Sequence, residues 1–461
     1  MGERTLAPIL QRAAQYVDAN MSRFLDELFI LIRQPSVSAT GEGVPQCAKL
    51  LGDMMRETGI NTEIVEGKPY PFVCGSVQTQ PHHKTLLVYG HYDVQPPEPL
   101  EAWKSPPYAP EIRDGRIYGR GSGDNKGQLF AHIKATEFWL REIGHPPINL
   151  KFVFEGGEES GSPGFEEFAL SHRDQVAADA CYAADGPMHE SGRPTLFFGV
   201  RGMLYVRLTV RVSRRDAHSA YASVLPNAAL ELCHLVSKLI DSSGRVKVPG
   251  FYDGVRSPSQ LEREAIARIP PVEDEVKREF GIKAIAGDPN VGYYEKLMFT
   301  PVMDLEAIHV GYLGVGHKAA VPSSAKAMLN IRMVADQDPD QIYRSLVRAL
   351  EAVKGDYELT VEKIGSSPPS RTPLDHPAAR PFIDATRAMD GDDPILLPSI
   401  GAGCHANHVL TRLLGIPTVW AAYAQPDEAN HAPNENLRLD HFRRGILASV
   451  SVIDTFGRWQ G

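Results

Sequence analysis

The chain has 461 residues, too long for one ordinary hydrophobic core, so two domains are expected. Its hydrophobic fraction of 43% and charged fraction of 23% are those of a soluble globular protein, and a net charge of −9 argues against a nucleic-acid partner, which calls for a basic stripe. No apolar run approaches the roughly 20 residues a membrane span needs, so no membrane partner is expected either.

The N-terminal stretch lacks a short apolar core behind a basic cap and is not expected to be a signal peptide. Gly2 lacks a Ser or Thr at position 6, so myristoylation is not expected. Instead Leu25, Leu28 and Ile32, with Phe29, recur at helical spacing. Residues 84–90 (KTLLVYG) form a short apolar run suited to a strand buried on both faces. A helix follows Asp124, with Leu129, Ile133 and Leu140, beside Phe130, as its apolar stripe. INLKFVFEGG and ACYAADGP read as further strands, as does IPTVWAAYA near the C-terminus. This alternation predicts an α/β domain with a mostly parallel central sheet flanked by helices.

The middle of the chain reads differently. Between 203 and 213, Leu204, Val206, Leu208, Val210 and Val212 alternate with Tyr205, Arg207, Thr209 and Arg211, a strand with one buried and one wet face. A helix from about Asn227 to Ile240, a second alternating run at 325–334, a helix after Asp338-Pro339 and a strand in YELTVEKIG complete the set. They predict a smaller α+β domain inserted into the larger one: residues 1–200 and 380–461 against 201–379. Residues 244–305, rich in Pro and Gly, carry no clear assignment. The five cysteines (Cys47, Cys74, Cys181, Cys233 and Cys404) form no C-x-x-C pair and read as mostly buried thiols in a reducing cytoplasm.

Polar residues gather just after the predicted strands. VYGHYDVQ carries His91 and Asp93, GSGDNKG carries Asp124, and GGEESGS carries Glu158 and Glu159. AADGP carries Asp185, and EANHAPNE carries His431. In an open α/β sheet, ligands bind beyond the carboxyl ends of the strands, so these groups can line one rim. Each has an ordinary reading alone: a surface histidine, a helix cap at Asp124, a turn at Asp185-Gly186. Five such coincidences at element ends are far less common than one. Carboxylates and imidazoles without a thiolate suit Zn²⁺, Mn²⁺ or Co²⁺. Adjacent glutamates point in different directions, so one can ligate a metal while its neighbour serves as base to the activated water.

GHYDVQP, GRGSGDNKGQ, EGGEESGS, DG and HAPNE, in this order, resemble the di-metal peptidase family of carnosinases, cytosolic non-specific dipeptidases, aminoacylase and glutamate carboxypeptidase. DAHSA (216–220) and GHKAAVP (316–322) are similar to its inserted, ferredoxin-like lid and dimerisation domain, and the long insertion near 244–305 resembles the dipeptidase branch. The resemblance implies that His91 and Asp185 bind one metal, Glu159 and His431 a second, and Asp124 bridges both. It implies that Asp93 orients His91, that Glu158 is the catalytic base, and that a cis peptide follows Asp124. His218 would reach the scissile carbonyl, from the partner subunit where the family is dimeric, and Arg332 would bind the substrate carboxylate. By residue pattern alone, His218 reads as a surface histidine beside Ser219, and Arg332 fits the solvated face of a strand equally well.

One departure stands out. The family's Gly-Gly-Ser-x-Pro segment corresponds to SIGAGCHAN (399–407), with Gly401 kept, Gly403 in place of the serine and His405 in place of the proline. The expectation is a cytoplasmic homodimer with two divalent ions per subunit, zinc first. It would hydrolyse a small dipeptide or N-acyl amino acid with a free carboxylate. A specialised amidase or deacylase, motivated by the altered segment, is the alternative. A binding-only homologue ranks last, because Glu158 and all five ligands are present.

Overall fold

The computed structural model describes residues 7–460, so Gly2 lies outside the described residues. An eight-stranded sheet forms the frame. Its order is Asn61–Val65, Phe72–Val77, Asn149–Glu155, Thr85–His91, Ala180–Ala183, Thr418–Ala421, Thr195–Phe197 and Ile395–Leu397. The strands from Asn149–Glu155 to Thr418–Ala421 run parallel, as does the pair Thr195–Phe197 with Ile395–Leu397. Antiparallel pairing is confined to the first two strands and to the step from Thr418–Ala421 to Thr195–Phe197.

Thr85–His91 shows why this sheet has helices on both faces. Leu86 and Val88 pack into a core with the helices Pro8–Arg33, Val44–Thr58 and Leu439–Arg458. Leu87 and Tyr89, pointing the other way, join a second core with the helix Phe165–Ser171. The expected single stripe on the helix after Asp124 is too narrow a description. Every residue of Lys126–Phe138 is buried, and Leu140 belongs to the π-helical segment Trp139–Ile143 that follows. The helix is sandwiched, so its charges find partners inside. Lys126 Nζ donates to the carbonyls of Leu31 and Gln34, and Glu137 accepts from Tyr16, Arg23 and Lys134.

A second sheet, wholly antiparallel, has the order Val302–Val310, Ser324–Met333, Gly202–Arg211, Glu358–Ser367. With the helices Ala228–Leu239 and Pro339–Val353 it makes the βαββαβ order of a ferredoxin-like unit. Leu204, Val206, Leu208 and Val210 are fully buried against these helices, and the residues between them are half-buried. The chain crosses between the sheets at two adjacent points, because Gly199–Val200 pairs with Ser370–Arg371. The unassigned stretch contains the helices Gln260–Ala267, Glu273–Phe280 and Tyr293–Phe299. The first has a Ser259/Glu262 capping box. Met298 and Phe299 bury against Ile395 of the large sheet, so this insertion touches both lobes.

Candidate active site

The site forms where strand ends meet loops. His91 is the last residue of Thr85–His91, and Asp93 follows two residues later. Glu158 and Glu159 sit on the 3-10 turn Glu158–Ser160 beyond the neighbouring strand, and Asp185 follows Ala180–Ala183. Asp124 precedes the buried helix and is joined to Asn125 by a cis peptide bond, as the resemblance implies. His431 comes from the long loop before Asn436–Arg438, in the left-handed region at φ 57°, a conformation that its surroundings must fix.

These residues converge. His91 Nε2 lies 3.0 Å from Asp124 Oδ1 and 3.5 Å from Asp185 Oδ2. His431 Nε2 lies 3.0 Å from Asp124 Oδ2 and 3.1 Å from Glu159 Oε2. The donor atoms of His91, Asp124 and Asp185 lie within 4.8 Å of one another, as do those of Asp124, Glu159 and His431. The groups share Asp124, one oxygen to each. His91 Nε2 is buried without a hydrogen-bond partner, although two carboxylate oxygens are near. That orphaned nitrogen, amid nitrogen and oxygen donors only, fits a divalent cation in each group.

The electrostatics agree. Burial pushes His91 down, yet Asp124, Asp185 and Asp93 outweigh it and hold the ring well above the usual histidine range. Asp124 and Glu159 raise His431 to about 10. Burial, with Asp185, Glu159 and Glu155 nearby, raises Glu158 well above an ordinary carboxyl, against the opposing pull of His91.

Asp93 has a wider part than orienting one ring. His91 Nδ1 donates to the Asp93 carbonyl at 3.1 Å, with Asp93 Oδ1 at 3.4 Å. The same carboxylate accepts the backbone N–H of Glu158 on Oδ1 and of Glu159 on Oδ2, each at 3.1 Å. It ties the histidine strand to the glutamate turn, and so resolves how two adjacent glutamates are held apart.

The other expected residues gather less tightly. His218 is exposed, and its Nδ1 accepts the Ala220 N–H. Gly401 and Gly403 lie against the crossing point between the lobes, where Arg201 N–H donates to the Ala402 carbonyl at 2.9 Å. The buried Arg201 guanidinium donates to the carbonyls of Leu297, Thr300 and Arg332, which brings the end of the Arg332 strand to the same corner. His405 Nε2 stands 3.7 Å from Glu166 Oε2, on a cleft also lined by residues 161–164, next to the glutamate turn.

Four residues escaped the sequence reading. Glu435 accepts the N–H groups of Gly121, Gly123 and Asp124 and pairs with buried Arg120. Gln95 Nε2 donates to Glu159 Oε2 at 2.9 Å. Asn430 Nδ2 donates to Asp124 Oδ2 at 2.9 Å, and Glu428 is buried nearby. Three of the four lie in the stretch around His431, where the density of polar residues was the available signal.

A doubly wound sheet, an inserted ferredoxin-like unit and two nitrogen–oxygen clusters sharing one aspartate define a dinuclear metallohydrolase. The chain belongs to peptidase family M20/M25/M40, whose model matches residues 87–455. It is 26% identical to Beta-Ala-His dipeptidase of Mus musculus over 364 residues, covering 75% of this chain and 74% of that protein. It is 26% identical to the Cys-Gly metallodipeptidase dug1 of Schizosaccharomyces pombe, covering 96% of this chain and 99% of the other. An M20 family metallo-carboxypeptidase from Sulfolobus solfataricus superposes with a TM-score of 0.87 at 30% identity, covering 94% of this chain and 99% of that one. The chain is therefore a metallopeptidase by family as well as by fold.

Proposed function

We propose that this protein hydrolyses the amide bond of a small dipeptide, or of an N-acyl amino acid, with a free carboxylate. The sharing of Asp124 between two ligand clusters, with the Glu158 turn alongside, carries this reading. His91 with Asp185, and Glu159 with His431, would hold two divalent ions bridged by Asp124, zinc first and manganese or cobalt as alternatives. Bound there, such ions polarise a carbonyl and make water a stronger nucleophile at neutral pH.

The residues do the rest. Glu158 takes the proton of the attacking water and returns one to the leaving amine. Asp93 holds the Glu158 turn and the His91 ring in register. His218 donates to the oxygen on which charge develops. Arg332, Gly401, Gly403 and His405 receive the carboxylate end of the substrate, a role supported for Gly401, Gly403 and the Arg332 strand end by their common corner at Arg201. The metal-binding domain is assigned to residues 1–200 and 380–461 and the lid to 201–379.

A homodimer through the lid accompanies this reading. His218 is exposed, and Ile308, Leu313 and Val315 stand exposed on and beyond the edge strand Val302–Val310. Among the described residues no helix is long and apolar enough to cross a membrane. Five free thiols, four of them buried, support a reducing cytoplasm. The dipeptidase names of the relatives favour a dipeptide over an acyl or aryl amide.

The test is a hydrolysis screen of the metal-loaded protein against dipeptides and N-acyl amino acids, with and without a chelator. Chelator-sensitive dipeptide cleavage is expected. Cleavage of acyl substrates alone would select the deacylase alternative. No cleavage with two metals bound would overturn the hydrolase reading.

A further inference from the structure

Asn430 stands between two carboxylates, and only one of them belongs to the ligand clusters. Its Nδ2 donates to Asp124 Oδ2 at 2.9 Å, the same oxygen that lies 3.0 Å from His431 Nε2. On its other side is Glu428, 1% exposed, with neither carboxylate oxygen in a hydrogen bond of normal geometry. The charges of Asp124, Glu435 and Asp185 surround Glu428 unfavourably, and the Asn430 side chain is the neighbour that eases its burial. An unpaired buried carboxylate is costly, so a chain that keeps one there needs a reason.

The placement is tight. Glu428 presses on the loop that carries Asp124. A Cβ at Gly123 would fall 2.2 Å from Glu428 Oε2, so a side chain there would push the glutamate carboxylate from its place. Glu435 grips the backbone of the same loop through the Gly123 and Asp124 N–H groups. One loop thus holds Asp124 by its backbone through Glu435 and by its side chain through Asn430.

We propose that Asn430, buttressed by Glu428, is a positioning residue for Asp124. It sets the affinity of the Glu159–His431 cluster for its cation more strongly than that of the His91–Asp185 cluster. The inference rests on the reading above that both clusters hold cations. A carboxylate oxygen offers two lone-pair directions. The Asn430 N–H occupies one direction on Oδ2 and leaves the other for a cation beside Glu159 and His431. It also stops the carboxylate from rotating, so Oδ1 stays with His91 and Asp185. An amide suits this place because it donates. An aspartate at 430 would repel Asp124 and Glu428, and an alanine would leave Oδ2 free to turn.

The experiment titrates metal-free protein with Zn²⁺ against a chromophoric chelator, with no substrate present. It compares wild type, Asn430→Ala, Asn430→Asp, Glu428→Gln and the double variant Asn430→Ala/Glu428→Gln. Asn430→Ala is expected to weaken one of two zinc sites by roughly 10- to 100-fold, as loss of a partner to a ligating carboxylate does, and to weaken the other less. Asn430→Asp should weaken the same site. Glu428→Gln should weaken it less, and the double variant should be no weaker than Asn430→Ala, because Glu428 acts through Asn430. Thermal unfolding of the metal-free variants separates this from a folding defect, which would lower the melting temperature before any metal is added. Unchanged zinc affinities in Asn430→Ala overturn the proposal, as does full additivity in the double variant. Wild-type protein that binds no zinc would overturn the two-cation reading itself, a result distinct from either.

Discussion

Glu435 accepts the backbone N–H of Asp124 at 2.9 Å, so the aspartate common to both clusters is held by its main chain as well as its side chain. The same carboxylate takes the N–H groups of Gly121 and Gly123, and its other oxygen lies 2.8 Å from Arg120 Nη1, with both side chains about fully buried. Glu435→Ala strands a buried guanidinium and three N–H groups. Removing one partner of a buried pair costs about 3–5 kcal/mol. Urea unfolding of the metal-free variant should show a loss of that order; a change under about 1 kcal/mol, the scale of an exposed pair, would mean the cluster is not the anchor described.

Glu158→Gln keeps the shape of the side chain and removes its basicity. Loss of a general base lowers kcat by about 10²- to 10⁴-fold. Two metals per chain should remain in elemental analysis, because Glu158 lies outside both ligand groups. Substantial turnover in the metal-loaded variant would take the base role away from this residue.

Asp93→Ala cuts the side-chain links to Glu158 N–H and Glu159 N–H and the 3.4 Å contact with His91, whose hydrogen bond to the Asp93 carbonyl remains. Asp93→Asn retains one oxygen and can keep one of the two N–H bonds. The alanine variant should therefore lose more, with metal affinity or kcat falling about 10- to 100-fold. Equal effects of the two substitutions would show that the turn does not depend on this carboxylate.

Stability should fall in acid through a residue remote from the metal clusters. His132 is buried in the middle of the sandwiched helix, where burial holds its imidazole down at about 3. Its Nδ1 meets Ser449 Oγ at 2.8 Å. The unfolded ring titrates near 6.5. Because the folded value is the lower one, the unfolded state binds more protons between the two. The contribution is complete above about 6.5 and is lost as pH falls towards 3. His132→Gln should flatten the plot of unfolding free energy against pH across that window. Comparing the two proteins cancels every other group, and parallel plots would show that His132 is not the group responsible.

The convergence of His91, Asp124, Glu158, Glu159 and Asp185 was legible because each follows a strand end or opens a helix, and short apolar runs such as 84–90 mark those ends plainly; His431, in a long loop, had only its polar neighbours as a signal. The central strand of the smaller sheet was legible for the same reason, since Leu204 to Val210 alternate with a strict period of two. Three helices between 259 and 299 were not, because Pro and Gly break the periodicity into segments of seven or eight residues. Lys126, Lys134 and Glu137 disguised a fully buried helix as a one-sided one. Their charges are satisfied by residues about 90 or more positions away, or within a network that only the fold assembles. Glu435 and Asn430 were hidden likewise. Their partners, Gly121 to Asp124, lie some 300 residues upstream, and no local pattern announces a contact of that span.

The pairing of Gly199–Val200 with Ser370–Arg371 has an architectural consequence. Every strand of the large sheet comes from outside residues 202–367. The excursion leaves and returns through neighbouring strands, so its closure is already made by the ribbon and lengthening it adds little entropic cost. The smaller unit is in effect a loop that has grown a core of its own. Such a graft can vary in size and outward surface while the rim that gathers His91, Asp124 and Asp185 keeps its place.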